Sequence, residues 1–272
     1  MITIENSPNF SHDYKELAWE VFFRSKGRGI SLQRHFPWLY KVSPEIQSFE
    51  ALESGCVIGG LALKAMNCSI EGANYKVGLI GLVCVNPVSR GHGVAKQLLT
   101  NAIEYAKFND FDYLTLWTSQ HKIYSGLGFE VFDRWNYGSV ERSWAVSARA
   151  TNRHDKYPGT EDMKKSLPPF ATARFELKND LESITFVGDE NGLIVTDYEG
   201  EPRLVAKVLF NQFPEKWRLN FVESDPLVNE LSNLGMKIDT KPSNLQMWLP
   251  LNQRDPGAQV PSSMLISVLD RV

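Results

Sequence analysis

The chain has 272 residues, of which 43% are apolar and 22% charged, and these proportions exclude a largely disordered protein. A formal net charge of -3, from 29 basic and 32 acidic side chains, excludes a long-range positive field, so no nucleic-acid partner is expected and any anion site must be local. The sequence has no apolar run long enough to cross a bilayer and no leader at its start, which predicts a cytoplasmic protein without a membrane partner.

The first predicted element is an amphipathic helix close to the start of the chain. Asp13 followed by Glu16 resembles a capping box, and the apolar residues of this region recur at helical spacing: Tyr14, Leu17, Ala18, Val21 and Phe22. The segment 26–40 then mixes glycine and proline with aromatic residues, which is typical of an irregular loop or a short helix. Its aromatic side chains either form one wall of a substrate pocket or close a core, and the sequence leaves both readings open.

Two apolar, β-prone segments at 55–64 and 76–85 predict neighbouring strands, and Pro87 ends the second because proline removes a backbone donor. A glycine turn at 90–95 follows, and then a helix with one apolar face: Ala95, Leu98, Leu99, Ala102, Ile103 and Ala106. In such a turn the backbone N–H groups converge without a Cβ in the way, and the helix N-terminus adds partial positive charge. Arg90 can add charge-assisted hydrogen bonds. The segment therefore predicts a phosphate-binding turn.

Further strands are predicted at 112–118, 129–132 and 139–146, with a short helix that begins at His121 and ends at Gly126 or Gly128. This order of elements is mixed α/β around a central sheet. Three cysteines, odd in number and without paired spacing, are interpreted as reduced core thiols, and no metal site is expected: Cys56, Cys68 and Cys84.

The length favours two domains, and the composition between 147 and 169 changes to polar residues with several prolines. We therefore predict a first domain at 1–147, a linker at 148–169 and a smaller domain at 170–272. The strands expected at the start of the second domain are 183–187, 192–197 and 203–210.

The second domain carries a faint echo of the first. The predicted strand at 217–222 resembles the one at 113–117, and a short helix and a Leu-Gly corner follow in each copy. The second copy has no glycine loop, and Leu231 stands where the first copy has Tyr124. This pattern predicts a degenerate tandem copy without a cofactor site of its own.

Two motifs occur in order in the first domain. The turn at 90–95 fits the pattern Arg/Gln-x-x-Gly-x-Gly/Ala, and Tyr124 lies four residues before Gly128 in a Tyr-x-x-x-Gly-Phe pattern. With these motifs, the region 77–132 resembles the GNAT superfamily of acetyl-CoA-dependent N-acyltransferases. The resemblance implies an α/β (α+β) fold with a mixed, splayed central sheet flanked by helices, followed here by a smaller α/β domain.

The resemblance also implies a site for acetyl-CoA, the expected co-substrate. The pantetheine arm would lie like an added strand between the fourth and fifth strands, paired with the backbone of Val83, Cys84 and Val85. The pyrophosphate would lie in the turn, which consists of Arg90, Gly91, His92, Gly93, Val94 and Ala95. His92 is expected to be exposed filler within this turn. Tyr124 would act as the general acid on the departing thiolate.

The implied reaction is direct attack of a neutral amine on the thioester, without a covalent enzyme intermediate. Some relatives place a glutamate on the fourth strand as a base, but the segment 76–85 contains no acidic residue. The proton then leaves through water or through a residue from elsewhere. His121 is a candidate because it lies one helical turn from Tyr124, although a solvated residue at a helix start is the plainer interpretation.

Two alternatives remain open at the level of the sequence. One is a module that binds acyl-CoA without turnover, and the other is an acyltransferase that uses a longer acyl group or a hydroxyl acceptor. The expected acceptor is a small-molecule or peptide amine, selected by the segment 26–40 and by the second domain. A homodimer is compatible with the sequence.

Overall fold

The computed structural model describes residues 1–143, 159–162, 165–251 and 260–271. The chain forms two compact units. The first consists of Met1–Asp133, Asn244–Ile266 and Asp270–Val272, and the second of Arg134–Ser243 and Ser267–Leu269. Most of the expected linker lies outside the described residues. Among those that are described, no helix is both long and apolar enough to span a membrane.

The first half of the chain contains six strands and four helices. In chain order they are β1 (Ile2–Ser7), α1 (His12–Phe22), α2 (Leu32–His35), β2 (Ile46–Glu53), β3 (Cys56–Ile70), β4 (Ala73–Val85), α3 (Val94–Phe108), β5 (Tyr113–Trp117), α4 (His121–Ser125) and β6 (Glu130–Val131). Short 3-10 turns occur at Arg24–Lys26, Pro37–Tyr40 and Pro87–Ser89.

The second half contributes eight strands and two helices within its described residues. In chain order they are β7 (Trp135–Arg142), β8 (Thr160–Glu161), β9 (Ala173–Lys178), β10 (Ser183–Asp189), β11 (Gly192–Glu199), α5 (Pro202–Gln212), β12 (Lys216–Val222), α6 (Pro226–Asn233), β13 (Met236–Pro242) and β14 (Gln246–Pro250).

The two units have the same sheet topology. The first sheet has the order β1-β2-β3-β4-β5-β14-β6, and the second, written in the same direction, has the order β8-β9-β10-β11-β12-β7-β13. Each sheet begins with four antiparallel strands, and a helix then connects the fourth strand to a fifth that pairs with it in parallel. Helix α3 connects β4 to β5 in the first sheet, and α5 connects β11 to β12 in the second. The predicted GNAT-like fold with a second, similar domain is confirmed.

One strand in each sheet comes from the other half of the sequence. Strand β7 follows β6 in the chain but pairs with β12 and β13, whereas β14 follows β13 but pairs with β5 and β6. The expected boundaries at 147 and 170 are therefore corrected, because they assign each of these strands to the opposite sheet. Alternation of apolar and polar residues identifies a strand but does not identify its partner.

Three predicted elements differ from the structure. The expected strand at 203–210 is the helix α5, whose buried residues Val205, Ala206 and Leu209 have helical spacing behind a proline at the first position. The first helix is capped by Ser11, which accepts the N–H of Tyr14 at 3.0 Å, and not by the expected box. The strand expected at 139–146 begins earlier, as β7, and its last residues lie outside the described part.

The apolar face predicted for α3 is confirmed and packs on the first sheet. Its buried members are Val94, Leu98, Leu99, Ala102, Ile103 and Ala106. A separate apolar cluster contains residues in and next to α1, residues of the segment 26–40 and residues of β2, β3 and β4: Phe10, Tyr14, Ala18, Phe23, Leu32, Phe36, Leu39, Ile46, Ala62, Leu82 and Cys84. The aromatic residues of 26–40 therefore contribute mainly to a core, although Tyr40 is exposed.

Candidate functional site

The fourth and fifth strands of the first sheet separate part of the way along. Strands β4 and β5 pair in parallel only from Val77 to Leu79 on β4, within the described residues. Strand β4 then continues to Val85, while β5 pairs through its other edge with β14. The last residues of β4 thus have a backbone edge that no described strand covers. This geometry is the splay that the sequence predicted.

A β-bulge lies on β4 within the splayed part. Ala62 pairs with Gly81, but Gly60 pairs with Cys84, so β4 contains one extra residue at this point. Leu82 inside the bulge has φ of 51°, in the left-handed region that leucine rarely adopts. The extra residue switches the faces of the strand. Ile80 packs in the α3 core before the bulge, and Val83 packs there after it.

The hydrogen-bond alternation of β4 decides which backbone groups reach the free edge. Asn86 N–H donates to Ile58 O at 2.8 Å, so these two residues form a hydrogen-bonded pair. Hydrogen-bonded and non-bonded pairs alternate along an antiparallel ladder, so Gly60 and Cys84, two positions further on, form the next hydrogen-bonded pair. The backbone groups of Val83 and Val85 therefore point away from β3, toward the splay. Those of Cys84 point toward β3, so its backbone, which the sequence analysis grouped with its two neighbours, does not face the free edge.

The cysteines are all free, and only Cys84 is buried in the core, whereas Cys56 is exposed and Cys68 is half-buried. Burial raises the pKa of the Cys84 thiol to about 12, with a smaller contribution from the Glu50 carboxylate, although a hydrogen bond with the Gly60 backbone and the charge of Arg90 oppose the shift. The thiol is therefore protonated at neutral pH, which agrees with a structural role.

The glycine turn ahead of α3 is open. Gly91 and Gly93 have φ of 84° and 75°, and a Cβ at either position would meet nothing within 4 Å. Backbone conformation, and not crowding, therefore selects glycine here. Gly93 is the N-cap of α3, and Gln97 N–H donates to its carbonyl at 3.0 Å.

The amides of this turn are available to a ligand. Within the described part of the chain, the backbone N–H groups of residues 91–96 have no hydrogen-bond acceptor. The first turn of α3 carries no acidic side chain. Unbonded amides at the N-terminus of a helix of 15 residues form a site suited to a phosphate group.

Two side chains of the turn are placed by local contacts. The exposed Arg90 donates from Nε to Val85 O at 3.2 Å, which ties the turn to the end of β4. The exposed His92 lies with Nδ1 3.4 Å from Ser89 O, as expected for a residue outside the chemistry. Val94 is buried and Ala95 half-buried, so these two contribute backbone amides and packing to the site.

Tyr124 lies on α4 in the same apolar cluster as Val83, Val85 and Val94. Its ring meets Phe129 edge to face at a centroid distance of 6.1 Å. Burial raises the pKa of the Tyr124 hydroxyl to about 12, so the hydroxyl keeps its proton at neutral pH. It has no hydrogen-bond partner among the described residues, which leaves the proton available for donation.

Two groups of the first unit carry atoms that can accept a proton. Glu50 on β2 is buried, and its Oε1 accepts the N–H of Ser11 at 2.9 Å. The Nε2 atom of His121 is buried and has no partner among the residues described. Sequence reasoning missed Glu50 because an alternating strand position does not reveal that its carboxylate is buried.

The second unit differs from the first at each corresponding point. Helix α5 begins with Glu201 as the N-cap and Pro202 at the first position, so one amide is missing and a negative charge takes the place of the open turn. Leu231 is fully buried where the first unit has Tyr124. Past the residues where β11 and β12 pair, Tyr198 Oη on β11 donates to Oδ1 of Asp225, the N-cap of α6, at 2.8 Å.

The sheet splayed at its parallel pair, the open glycine turn and the buried tyrosine are the features that the resemblance to an acyltransferase implied. Residues 8–132 match the family model described as an acetyltransferase (GNAT) domain. No curated protein matches the chain.

Solved structures share the fold over both units. A GCN5-related N-acetyltransferase from Anabaena variabilis has 13% identity and a TM-score of 0.63, over 92% of this chain and 73% of that one. Eis1 from Mycobacterium abscessus has 12% identity and a TM-score of 0.62, over 92% and 74%. A GCN5-related N-acetyltransferase from Kribbella flavida has 12% identity and a TM-score of 0.58, over 91% and 71%.

Proposed function

We propose that the chain transfers an acetyl group from acetyl-CoA to a primary amine by direct attack. The observation that carries this proposal is the row of unbonded amides at 91–96 beside the free edge of β4. A pyrophosphate needs the first feature, and an extended amide-containing arm needs the second. The match to the acetyltransferase (GNAT) domain supports the same donor.

In this proposal, the turn amides and Arg90 hold the pyrophosphate, and the backbone groups of Val83 and Val85 that face the free edge orient the pantetheine arm and the acetyl carbonyl. Tyr124 donates its proton to the thiolate as the C–S bond breaks. The attacking amine forms the new C–N bond and loses a proton to water or to His121. Each group is supplied by the first unit.

The acceptor is proposed to be a small-molecule or peptide amine. The second unit contributes to acceptor selection and not to donor binding in this proposal, because its own turn is blocked by Glu201 and Pro202. A homodimer and a cytoplasmic location stay predictions from the sequence.

The test is calorimetry of the full chain with acetyl-CoA, CoA and longer acyl-CoAs. We expect Gly93→Asp to weaken binding by about 100-fold or more, because a Cβ at positive φ distorts the turn and a carboxylate repels the pyrophosphate. Gly72→Asp is the matched control, since Gly72 has φ of 82° and equally open surroundings at the β3–β4 hairpin. Equal affinity for acetyl-CoA in both variants and the wild type would contradict the proposal.

Release of free thiol separates the alternatives. A wild type that binds acetyl-CoA but releases no CoA with any amine is a binding module. Faster release from a longer acyl-CoA, or release with alcohols alone, would replace the donor or the acceptor in the proposal.

A further inference from the structure

Tyr14 on α1 is a buried polar side chain that the proposed reaction does not use. It has no exposed surface, and its hydroxyl donates to Leu82 O at 3.0 Å across 68 positions of sequence. Burial raises the pKa of this hydroxyl well above its ordinary value, and the neighbouring Cys84 and Glu50 groups raise it further. The hydroxyl is therefore a neutral hydrogen-bond donor at physiological pH.

The acceptor of this hydrogen bond is the bulged residue of β4. Leu82 adopts φ of 51°, where the Cβ of an L-residue is crowded by its own backbone. Such a conformation persists when neighbouring groups hold it in place. The Tyr14 hydroxyl is the side-chain donor that reaches the Leu82 carbonyl.

The strand opposite the bulge leaves room for the Tyr14 ring. A Cβ on Gly60 would lie 2.5 Å from a carbon of that ring, so glycine at this position allows the ring to lie against β3. Phe10 stacks on the Tyr14 ring at a centroid distance of 5.7 Å. The ring is thus held by Phe10 and by the close approach of β3 at Gly60, which restricts the direction of its hydroxyl.

The bulge governs the backbone groups of the next residues. Because β4 gains one residue there, Cys84 pairs with Gly60, and Val83 and Val85 direct their backbone groups to the free edge. Without the extra residue the register would shift by one, and these groups would face β3.

We propose that Tyr14 is a positioning residue of the donor site, which holds the Leu82 bulge and thereby aims the backbone of Val83 and Val85 at the pantetheine arm. This inference rests on the proposed function, since it assigns the free edge of β4 to that arm. Tyr14 touches neither the donor nor the acceptor, and it acts through the strand.

The test is Tyr14→Phe in the full chain, which removes the hydroxyl and keeps the ring. We expect the dissociation constant and the KM for acetyl-CoA to rise about fivefold, the loss of one net hydrogen bond, while the KM for the amine stays unchanged. Hydrogen exchange of the amides at 81–85 in the unliganded protein should become faster. Tyr105→Phe is the control, because that hydroxyl makes a 3.5 Å contact with Gln47 elsewhere in the same unit.

A rescue variant separates positioning from stability. Glycine adopts positive φ without the Cβ penalty, so Tyr14→Phe with Leu82→Gly should recover acetyl-CoA binding to within about twofold of the wild type. A folded Tyr14→Phe with wild-type affinity and exchange would overturn the proposal. If Tyr14→Phe does not fold, the double variant decides, and its failure to fold would assign Tyr14 to stability alone. Failure of the proposed function shows separately, as a wild type that binds no acyl-CoA.

Discussion

At the scale of single residues, Tyr124 combines the features of a general acid. Its side chain is 8% exposed, its hydroxyl lacks a partner among the described residues, and its pKa is raised to about 12 by burial. A raised pKa in the folded protein stabilises it fully below the unfolded pKa near 10, and this contribution is lost as pH rises from there through about 12. The Tyr124 hydroxyl therefore stays protonated throughout the physiological range.

We expect Tyr124→Phe to lower kcat by about 100-fold while the affinity for acetyl-CoA stays within about twofold, because the phenyl ring preserves packing and only the proton is lost. Thiol release and calorimetry measure the two quantities. The wild-type rate should not decline through this residue up to about pH 9. An unaltered kcat in a variant that still binds acetyl-CoA would show that another group supplies the proton.

The conformation of the turn could be predicted from the sequence because it is local. Gly91 and Gly93 indicate a turn with positive φ, and the whole motif spans only six residues. Tyr14 could not be assigned, since its hydrogen bond spans 68 positions and its spacing matches an ordinary apolar helix face. The signal in the sequence was that Tyr14 lies on the apolar face of the first predicted helix, where a buried hydroxyl needs a hydrogen-bond partner.

At the scale of secondary-structure elements, the contrast between α3 and α5 separates the two units. Both helices connect parallel strands and both bury an apolar face. Only α3, of these two, begins with an open glycine N-cap. The periodicity of α3 was sufficient to predict it, whereas the β-branched residues of α5 favoured a strand until tertiary packing decided the outcome.

The buried face of α3 should dominate the stability of the first unit. Leu98 has no exposed surface, so Leu98→Ala is expected to lower the free energy of unfolding by about 2–5 kcal/mol. Phe108 on the same helix is 88% exposed, and Phe108→Ala should change it by less than about 0.5 kcal/mol. Chemical denaturation of both variants measures the difference. Similar losses would show that the helix does not pack as described.

At the scale of the whole molecule, the exchange of β7 and β14 links the two halves of the sequence. In the first sheet, Met247 and Trp248 of β14 are almost fully buried, and Thr115 Oγ1 donates to Met247 O at 2.9 Å. Local sequence patterns predicted both copies and most of their strands. They could not predict the exchange, because equivalent strands have the same pattern in either sheet.

A fragment of residues 1–147 should therefore lack a cooperative thermal transition, since its sheet has no strand between β5 and β6. Burial of each large side chain of β14 contributes about 1.5–3 kcal/mol that the fragment forgoes. Circular dichroism during heating measures the transition. Joining residues 244–251 to the fragment through a flexible linker should restore it. Cooperative melting of the unmodified fragment would contradict the assignment of β14.

The exchange also sets an order of assembly during synthesis. The second sheet receives β7 before its remaining strands are translated, so it is complete once β13 has left the ribosome. The earlier-made sheet must wait for Met247, which bonds to a residue 132 positions upstream. At about 5–20 residues per second, this interval is roughly 7–26 s, during which the nascent chain exposes an unfilled apolar slot. The half that is translated first is thus the last to close, and a chaperone that shields the slot would act in that interval.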